Sequence, residues 1–203
     1  MTYANDEMTM VLAIPDNPVK IIAPGRFRDD RGWFSEPYNE KRALALGLDC
    51  RFVQDNHSLS YATGTLRGIH FQVPPHGQSK LVRCVRGRIL DIAVDLRKGS
   101  PTFAKSVCSE LSAENGCQIF MPVGFGHAFL TLEPDTEVLY KVTDYYAPRC
   151  DGGIRWNDGD IAIDWPLTGA RPQLSAKDKK LPFLRDFDSP FDYDGRPLAP
   201  LDY

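Results

Sequence analysis

The chain has 203 residues, a length that fits one domain, and its 42% hydrophobic and 25% charged residues are typical of a globular protein. A formal net charge of −3 without a basic block argues against a nucleic-acid-binding surface. The cysteines are odd in number and form no CxxC pair, so a disulfide framework and a zinc site are both disfavoured and we expect buried, reduced thiols.

The opening residues 1–17 do not resemble a targeting segment. They carry acidic residues where a signal peptide would carry positive charge, and their apolar run is too short to span a bilayer. We therefore expect a cytoplasmic protein that has no membrane partner.

One helix is predicted, in the run EKRALALG, where Asn39 can cap its start and Gly47 can end it. From residue 52 to residue 143 the sequence instead predicts short strands. KLVRCVR and RILDIAVDL flank Gly87 as the arms of a hairpin would. Further strands follow at intervals of about ten residues: TFAKSVCSEL, CQIFM, HAFLTL and TEVLYKVT. This spacing favours an all-β sandwich or barrel with one or a few short helices.

The composition changes at residue 183, after which Asp, Pro and aromatic residues dominate. The hydrophobic residues there follow neither the helical period nor the alternation of a strand. We interpret residues 1–203 as a single domain in which 183–203 form a C-terminal extension. That extension is expected to lie on the surface or on a partner subunit.

Two stretches resemble the motifs of the cupins, which are double-stranded β-helix or jelly-roll barrels. In the second motif, Gly116, Pro122, Gly124 and His127 have the cupin spacing. The first motif contains His70 and closes at Gly87. The resemblance implies a cupin fold for the chain.

The metal ligands of the cupins are incomplete in this chain. Gln72 stands at the position of the second histidine, and Lys80 stands seven residues before Gly87, where metal-binding cupins carry a glutamate. An ammonium group repels a divalent ion and has no lone pair to offer it. The sequence therefore predicts no metal and no cofactor.

A cation beside a histidine in a closed barrel suits proton removal next to a ketone. The histidine takes the proton as a general base, and the cation stabilises the negative charge that develops on the carbonyl oxygen. His70 and Lys80 supply these two groups.

More specific stretches place the chain close to one family. FVQDNHS (52–58), LRGIHFQ (66–72), GFGHAF (124–129), IRWND (154–158) and LSAKD (174–178) resemble the dTDP-4-dehydrorhamnose 3,5-epimerase family, as do DDRGWFSEPYN (29–39) and EVLYKVTDYYAP (137–148). The match spans residues 15 to 185. It implies a homodimeric, cofactor-free cupin that inverts carbons 3 and 5 of a dTDP-linked 4-keto-6-deoxyglucose.

The resemblance also implies four catalytic residues. His70 would be the base and Asp178 would orient it, Lys80 would hold the enolate oxygen, and Tyr140 would return a proton from the opposite face of the sugar. Strand alternation supports Tyr140 independently, because it puts this residue on the same face as Val138 and Val142.

The implied substrate contacts lie in several short motifs, and Asp151 stands where the family usually has Glu. Arg67 is the natural diphosphate ligand, and Gly68 is expected to mark a bulge that brings Arg67 and His70 to one face. The full set of implied contacts is Arg31, Glu36, Gln54, Asn56, Arg67, His127, Tyr145, Asp151 and Lys177.

Several of these residues have a simpler alternative explanation. The carboxylate of Asp178 could cap a helix, since Ser175 and Asp178 form a capping-box-like pattern. Tyr140 could be plain core packing, and Arg31 and Glu36 could form an exposed ion pair.

Three other functions remain open alongside the two-carbon epimerase. The nearest is an epimerase that acts on carbon 3 or carbon 5 alone, because one base can serve either reaction. A metal-dependent cupin is disfavoured by Gln72 and Lys80. A sugar-nucleotide-binding module without catalysis is disfavoured by Tyr140, since binding alone does not need a second proton donor.

Overall fold

The computed structural model describes residues 10–12, 17–167, 169 and 171–199. Most of the opening segment (1–9 and 13–16) lies outside the described residues, as do residues 200–203 of the expected C-terminal extension. None of the helices described is long and apolar enough to cross a membrane.

Strands make up most of the regular structure. Their bounds are β1 Met10–Leu12, β2 Lys20–Ala23, β3 Arg26–Asp29, β4 Gly32–Ser35, β5 Gln54–Ser60, β6 Leu66–Gln72, β7 Lys80–Arg86, β8 Arg88–Asp95, β9 Ser106–Ser112, β10 Gln118–Met121, β11 Phe125–Thr131, β12 Thr136–Val142 and β13 Asp151–Gly153. The α-helix α1 spans Glu40–Ala45, and 3₁₀ turns occur at Asp178–Lys180 and Leu184–Asp186.

Helix α1 confirms the prediction made from the sequence. The side chain of Asn39 accepts a hydrogen bond from the backbone N–H of Arg42, which satisfies one of the free N–H groups of the first turn. Ala43, Leu48 and Phe120 pack together, so the helix covers part of the outer face of a β-sheet.

Two antiparallel sheets form the barrel. The six-stranded sheet has the order β1-β2-β10-β7-β12-β5, and the five-stranded sheet has the order β13-β6-β11-β8-β9. Residues of both sheets share one buried cluster, which includes Val82, Ala93, Phe129 and Val138. This cluster fills the interior of a cupin-like barrel, as predicted.

The hairpin predicted around Gly87 is wrong. β7 pairs with β10 and β12 in the six-stranded sheet, whereas β8 pairs with β9 and β11 in the five-stranded sheet. Gly87 adopts φ +74°, and a side chain there would overlap Thr136. The glycine thus marks a tight crossing between sheets, which a local turn signal does not distinguish from a hairpin.

The C-terminal extension packs on the barrel of its own chain as far as residue 199. The ring of Phe191 lies 5.8 Å from that of Phe71 on the outer face of β6, and Leu198 joins the barrel core. Arg97, which is 2% exposed, bonds to Asp95 at 2.8 Å and to Asp194 of the extension at 2.5 Å. The extension therefore covers the outside of the five-stranded sheet, the sheet that carries His70.

Candidate active site

A cavity of about 520 Å³ opens into one end of the barrel. It is lined by side chains that alternate toward the interior along β5, β6, β7, β11 and β12, and by the segment 173–178. The lining residues include Gln54, Asn56, Arg67, His70, Gln72, Gln78, Lys80, His127, Tyr140, Tyr146, Asp151, Lys177 and Asp178. Ten of the thirteen predicted site residues are in this list.

His70 and Asp178 form a close pair in the cavity. His70 Nε2 lies 2.5 Å from Asp178 Oδ1, and their side chains are 30% and 3% exposed. The backbone N–H of Asp178 donates to Ser175 Oγ at 3.0 Å. The Ser175 hydroxyl thus provides the cap, while the carboxylate of Asp178 contacts the imidazole.

The electrostatics of this pair keep the carboxylate ionised. Burial alone would raise the pKa of Asp178, but the hydrogen bond and charge of His70 outweigh it and lower the pKa below the ordinary value. An ionised carboxylate at Nε2 stabilises the protonated form of the imidazole. The pair is therefore suited to accept a proton.

Lys80 is buried at the start of β7, and its side chain lies inside the cavity. Its Nζ donates to the backbone carbonyl of His70 at 3.4 Å. Burial lowers the pKa of Lys80 to about 8, although the negative charges of Asp91 and Asp151 oppose the shift. The group still carries a positive charge at neutral pH, and little water surrounds it.

A second imidazole–carboxylate pair lies deeper in the barrel. His127 Nε2 is 2.9 Å from Asp91 Oδ2, and the two side chains are 7% and 0% exposed. Burial raises the pKa of Asp91 and lowers that of His127, in each case against the charge of the partner. Both shifts favour the neutral forms.

The sequence reasoning missed Asp91. The available signal was a single carboxylate that shares a strand face with Ile89 and Ala93, both of which are buried in the barrel core. A carboxylate on an apolar interior face requires a partner. That partner, His127, lies on the neighbouring strand.

Tyr140 lies on β12 between Val138 and Val142 and packs against the barrel core. Its ring is 6.4 Å from that of His127, and both residues line the cavity. Burial raises the pKa of Tyr140, so the phenol keeps its proton at neutral pH. It is a protonated hydroxyl group in a cavity.

The bulge predicted at Gly68 is confirmed. Between β6 and β11 the register passes from His70 opposite His127 to Arg67 opposite Phe129, so three steps on β6 match two on β11. A side chain at Gly68 would overlap Ala128. The bulge brings Arg67 to the same face as His70, where the Arg67 guanidinium is braced by Ser60 and by the carbonyl of Leu59.

Acidic, basic and aromatic side chains meet at the cavity mouth. Lys177 Nζ lies 2.5 Å from Asp151 Oδ2, to which the Tyr146 hydroxyl also donates at 3.1 Å. Tyr146 rather than the predicted Tyr145 lines the cavity. Both tyrosines are more than half exposed, and of the two it is Tyr146 whose side chain borders the cavity.

The structure does not bring Arg31 or Glu36 into the cavity of their own chain. Arg31 pairs with Asp29 at 2.6 Å and is 90% exposed, and Glu36 pairs with Arg42 at 2.9 Å. The alternative Arg31–Glu36 ion pair is therefore wrong, whereas the predicted substrate contacts of these two residues stay a prediction. Both residues lie outside the cavity because β3 and β4 form a separate two-stranded sheet outside the barrel.

The donor set in the cavity fits a metal poorly. Across the described part of the chain, no group of three or more His, Cys, Asp or Glu side chains is arranged to hold a metal ion. Both histidines of the cavity are bonded to carboxylates, and an ammonium group replaces the cupin glutamate.

The five cysteines are all free, as expected, but their predicted burial is only partly right. Cys84 is buried in the barrel core, whereas Cys108 is exposed on β9. Cys108 lies on the outer face of this strand, between the buried residues Val107 and Ser109.

Comparison with known proteins gives a consistent result. A family model described as dTDP-4-dehydrorhamnose 3,5-epimerase matches residues 12–186, a range that includes the whole cavity lining. The dTDP-4-dehydrorhamnose 3,5-epimerase of Sinorhizobium fredii is 49% identical over 175 residues, which cover 86% of this chain and 89% of that protein. The enzyme of the same name from Salmonella typhimurium is 50% identical over 173 residues, or 85% of this chain and 92% of that protein.

A solved structure extends the likeness to three dimensions. The dTDP-6-deoxy-D-glucose-3,5-epimerase of Legionella pneumophila, in complex with dTDP-4-keto-L-rhamnose, superimposes with a TM-score of 0.87 at 41% identity. The superposition covers 93% of this chain and 100% of that chain.

Proposed function

The chain belongs to the dTDP-4-dehydrorhamnose 3,5-epimerase family, and from this premise we propose how it acts as an epimerase. It inverts carbons 3 and 5 of dTDP-4-dehydro-6-deoxy-D-glucose and yields dTDP-4-dehydro-L-rhamnose. The observation that carries the mechanism is the convergence of the His70–Asp178 pair and the buried Lys80 ammonium in one cavity.

The first step is removal of a proton from a carbon next to the ketone. With Nε2–H of His70 donated to Asp178, the lone pair of the ring lies on Nδ1, and this nitrogen takes the proton. The electron pair of the broken C–H bond forms a C=C bond, and the negative charge moves to the oxygen on carbon 4. The Lys80 ammonium stabilises the negative charge on that oxygen. In metal-dependent enzymes a metal ion has this role.

The second step returns a proton from the opposite face of the sugar. The hydroxyl of Tyr140 donates it to the same carbon, the enolate collapses to the ketone, and the centre is inverted. The phenolate and the imidazolium then recover their neutral forms by proton exchange with solvent. The same sequence at the second carbon completes the reaction.

The substrate contacts divide by chemistry. Arg67 and Lys177 are cations suited to the diphosphate, and the amides of Gln54 and Asn56 suit sugar hydroxyls. His127 offers a neutral ring to a substrate oxygen. Tyr146, and not Tyr145, offers an aromatic face at the cavity mouth.

Residues 1–203 act as one cupin unit with 183–203 as an extension, and two copies form a homodimer. Support comes from the β3–β4 hairpin, which exposes Phe27, Trp33 and Phe34. Exposed aromatic residues of this kind mark interaction surfaces. Arg31 and Glu36 belong to the same region, so their substrate contacts would be made in the cavity of the partner copy.

The cytoplasm, where nucleotide sugars are made, is the compartment that fits.

Incubation of the enzyme with dTDP-4-dehydro-6-deoxy-D-glucose in D₂O tests this function. NMR should show deuterium at both carbon 3 and carbon 5, and product with the L configuration. Deuterium at a single carbon would instead support a single-site epimerase. A substrate that stays unlabelled would contradict epimerisation.

A further inference from the structure

Two loop segments, 73–79 and 143–147, form one lip of the cavity, and we call them the rim. Thr143 and Ser79 bond to each other through backbone and side-chain groups, and the side chain of Gln78 donates to the carbonyl of Asp144 at 2.7 Å. His76 Nδ1 lies 3.0 Å from Asp144 Oδ2. The rim is therefore held together as a unit, with Tyr146 near its end.

Gln72 anchors the rim to the barrel. This residue ends β6 and is only 4% exposed. Its Nε2 donates to the carbonyl of His76 at 2.7 Å and to that of Tyr145 at 3.2 Å, while its Oε1 accepts from the N–H of Ala147 at 2.8 Å. The Gln72 amide is thus hydrogen-bonded to the backbone on both sides of Tyr146.

These contacts use the polar capacity of the side chain. An amide has two N–H donors and one carbonyl acceptor, and all three bond to the protein. A glutamate would set negative charge against two carbonyl oxygens, and a histidine has only two hydrogen-bonding nitrogens for three contacts. Gln72 therefore lines the cavity without a free donor for a substrate.

Tyr146 connects the backbone held by Gln72 to the residues at the cavity mouth. Its hydroxyl donates to Asp151, the residue opposite Gln72 in the β6–β13 pair, and Asp151 holds Lys177. We propose that Gln72 is a positioning residue that fixes Tyr146, and through it Asp151 and Lys177, and so sets the affinity for the nucleotide end of the substrate. This inference rests on the proposed function, because it takes the cavity as a nucleotide-sugar site.

Gln72→Met tests the proposal, since methionine keeps the length of the side chain and removes every hydrogen bond. The affinity for dTDP, measured by calorimetry, should fall about tenfold or more, because two or three hydrogen bonds near the ligand are lost. KM for the sugar nucleotide should rise in parallel, while kcat at saturation stays within about threefold, because His70 and Lys80 are untouched. Gln72→Asn, which withdraws the amide by one methylene, should give the same split if the methionine variant does not fold.

Gln118→Met is the matched control. Gln118 is also buried, at 2% exposure, and its amide bonds to the carbonyl of Pro37 away from the cavity. This variant should lower the melting temperature and leave the affinity for dTDP unchanged. Equal loss of dTDP affinity in both variants would show general destabilisation and would overturn the proposal.

Tyr146→Ala completes the test as a double-mutant cycle. If Gln72 acts through Tyr146, the double variant should bind dTDP about as weakly as the weaker single variant. Fully additive losses, or a Gln72→Met enzyme with wild-type affinity, would overturn the proposal while the epimerase function stands. A wild-type enzyme that neither binds dTDP nor exchanges deuterium would instead overturn the proposed function itself.

Discussion

The cavity contains two imidazole–carboxylate pairs that are alike in composition and different in environment. His70–Asp178 lies at 2.5 Å with the imidazole 30% exposed, and His127–Asp91 lies at 2.9 Å with both side chains almost fully buried. The pKa of Asp178 is lowered in spite of burial, because His70 outweighs it, whereas burial raises that of Asp91. Two pairs of the same residue types therefore differ in which protonation states their surroundings favour.

The difference teaches that burial, not residue type, selects the base. A charged imidazolium next to ionised Asp178 is stabilised by the carboxylate and by partial contact with water. At His127 burial lowers the pKa, and the positive charge of Lys80 lowers it further. We infer that His70 removes the proton and that His127 hydrogen-bonds the substrate as a neutral ring.

Among single substitutions in the two pairs and their neighbours, Asp178→Asn should lower kcat the most. The amide keeps the shape of the side chain and the backbone bond to Ser175, but it removes the charge that stabilises protonated His70. We expect kcat to fall by about 10²–10³-fold, within the range of a general-base contribution. Steady-state kinetics with an unchanged melting temperature would support the account, and a variant within threefold of wild type would show that proton removal does not need the charge of Asp178.

Tyr140→Phe should separate the two proton transfers. His70 can still remove the proton, so deuterium uptake from D₂O should persist, whereas inverted product should form about a hundredfold more slowly without the donor on the opposite face. NMR follows both quantities in one sample. Loss of exchange and product to the same extent would place Tyr140 in the first transfer, and no change in either would favour core packing.

The pH dependence of kcat/KM should report on Lys80 in the free enzyme. Burial lowers its pKa to about 8, so the ammonium is charged below that pH and becomes a neutral amine above it. We expect kcat/KM to fall as the pH rises through about 8, and the fall to shift to higher pH in Lys80→Arg, since a guanidinium stays protonated. The same falling limb in both enzymes would assign it to another group.

Asp91→Asn should have the smallest effect. Burial raises the pKa of Asp91 and so disfavours its charged form, and the amide keeps the shape of the side chain and one hydrogen bond to His127. We expect kcat/KM to fall by less than about tenfold. A loss as large as that of Asp178→Asn would show that both pairs carry charge in the reaction.

The sequence allowed much of the fold to be predicted, because the signals were local. Asn39 and Gly47 bound the helix by capping, and alternation along β12 placed Tyr140 inside the barrel. The resemblance to the cupin motif implied that Lys80, seven residues before Gly87, stands where a metal ligand would be. These features depend on neighbours in the chain.

The remaining features depend on contacts between distant residues. Gly87 joins two sheets, and Asp91 contacts His127 across a pair of strands. A local sequence pattern predicts neither the crossing nor the contact. Which of Tyr145 and Tyr146 lines the cavity depends on the course of the loop 143–147, where the sequence has no strand pattern. Arg31 lies in the turn of the β3–β4 hairpin and Glu36 directly follows it, and a strand pattern does not give the position of this hairpin outside the barrel.

Deuterium exchange in His70→Ala and His127→Ala, measured side by side at saturating substrate, tests the assignment of the base most directly. We predict that His70→Ala loses exchange at carbons 3 and 5, while His127→Ala keeps it and shows a higher KM. Exchange that survives in His70→Ala and disappears in His127→Ala would contradict the account.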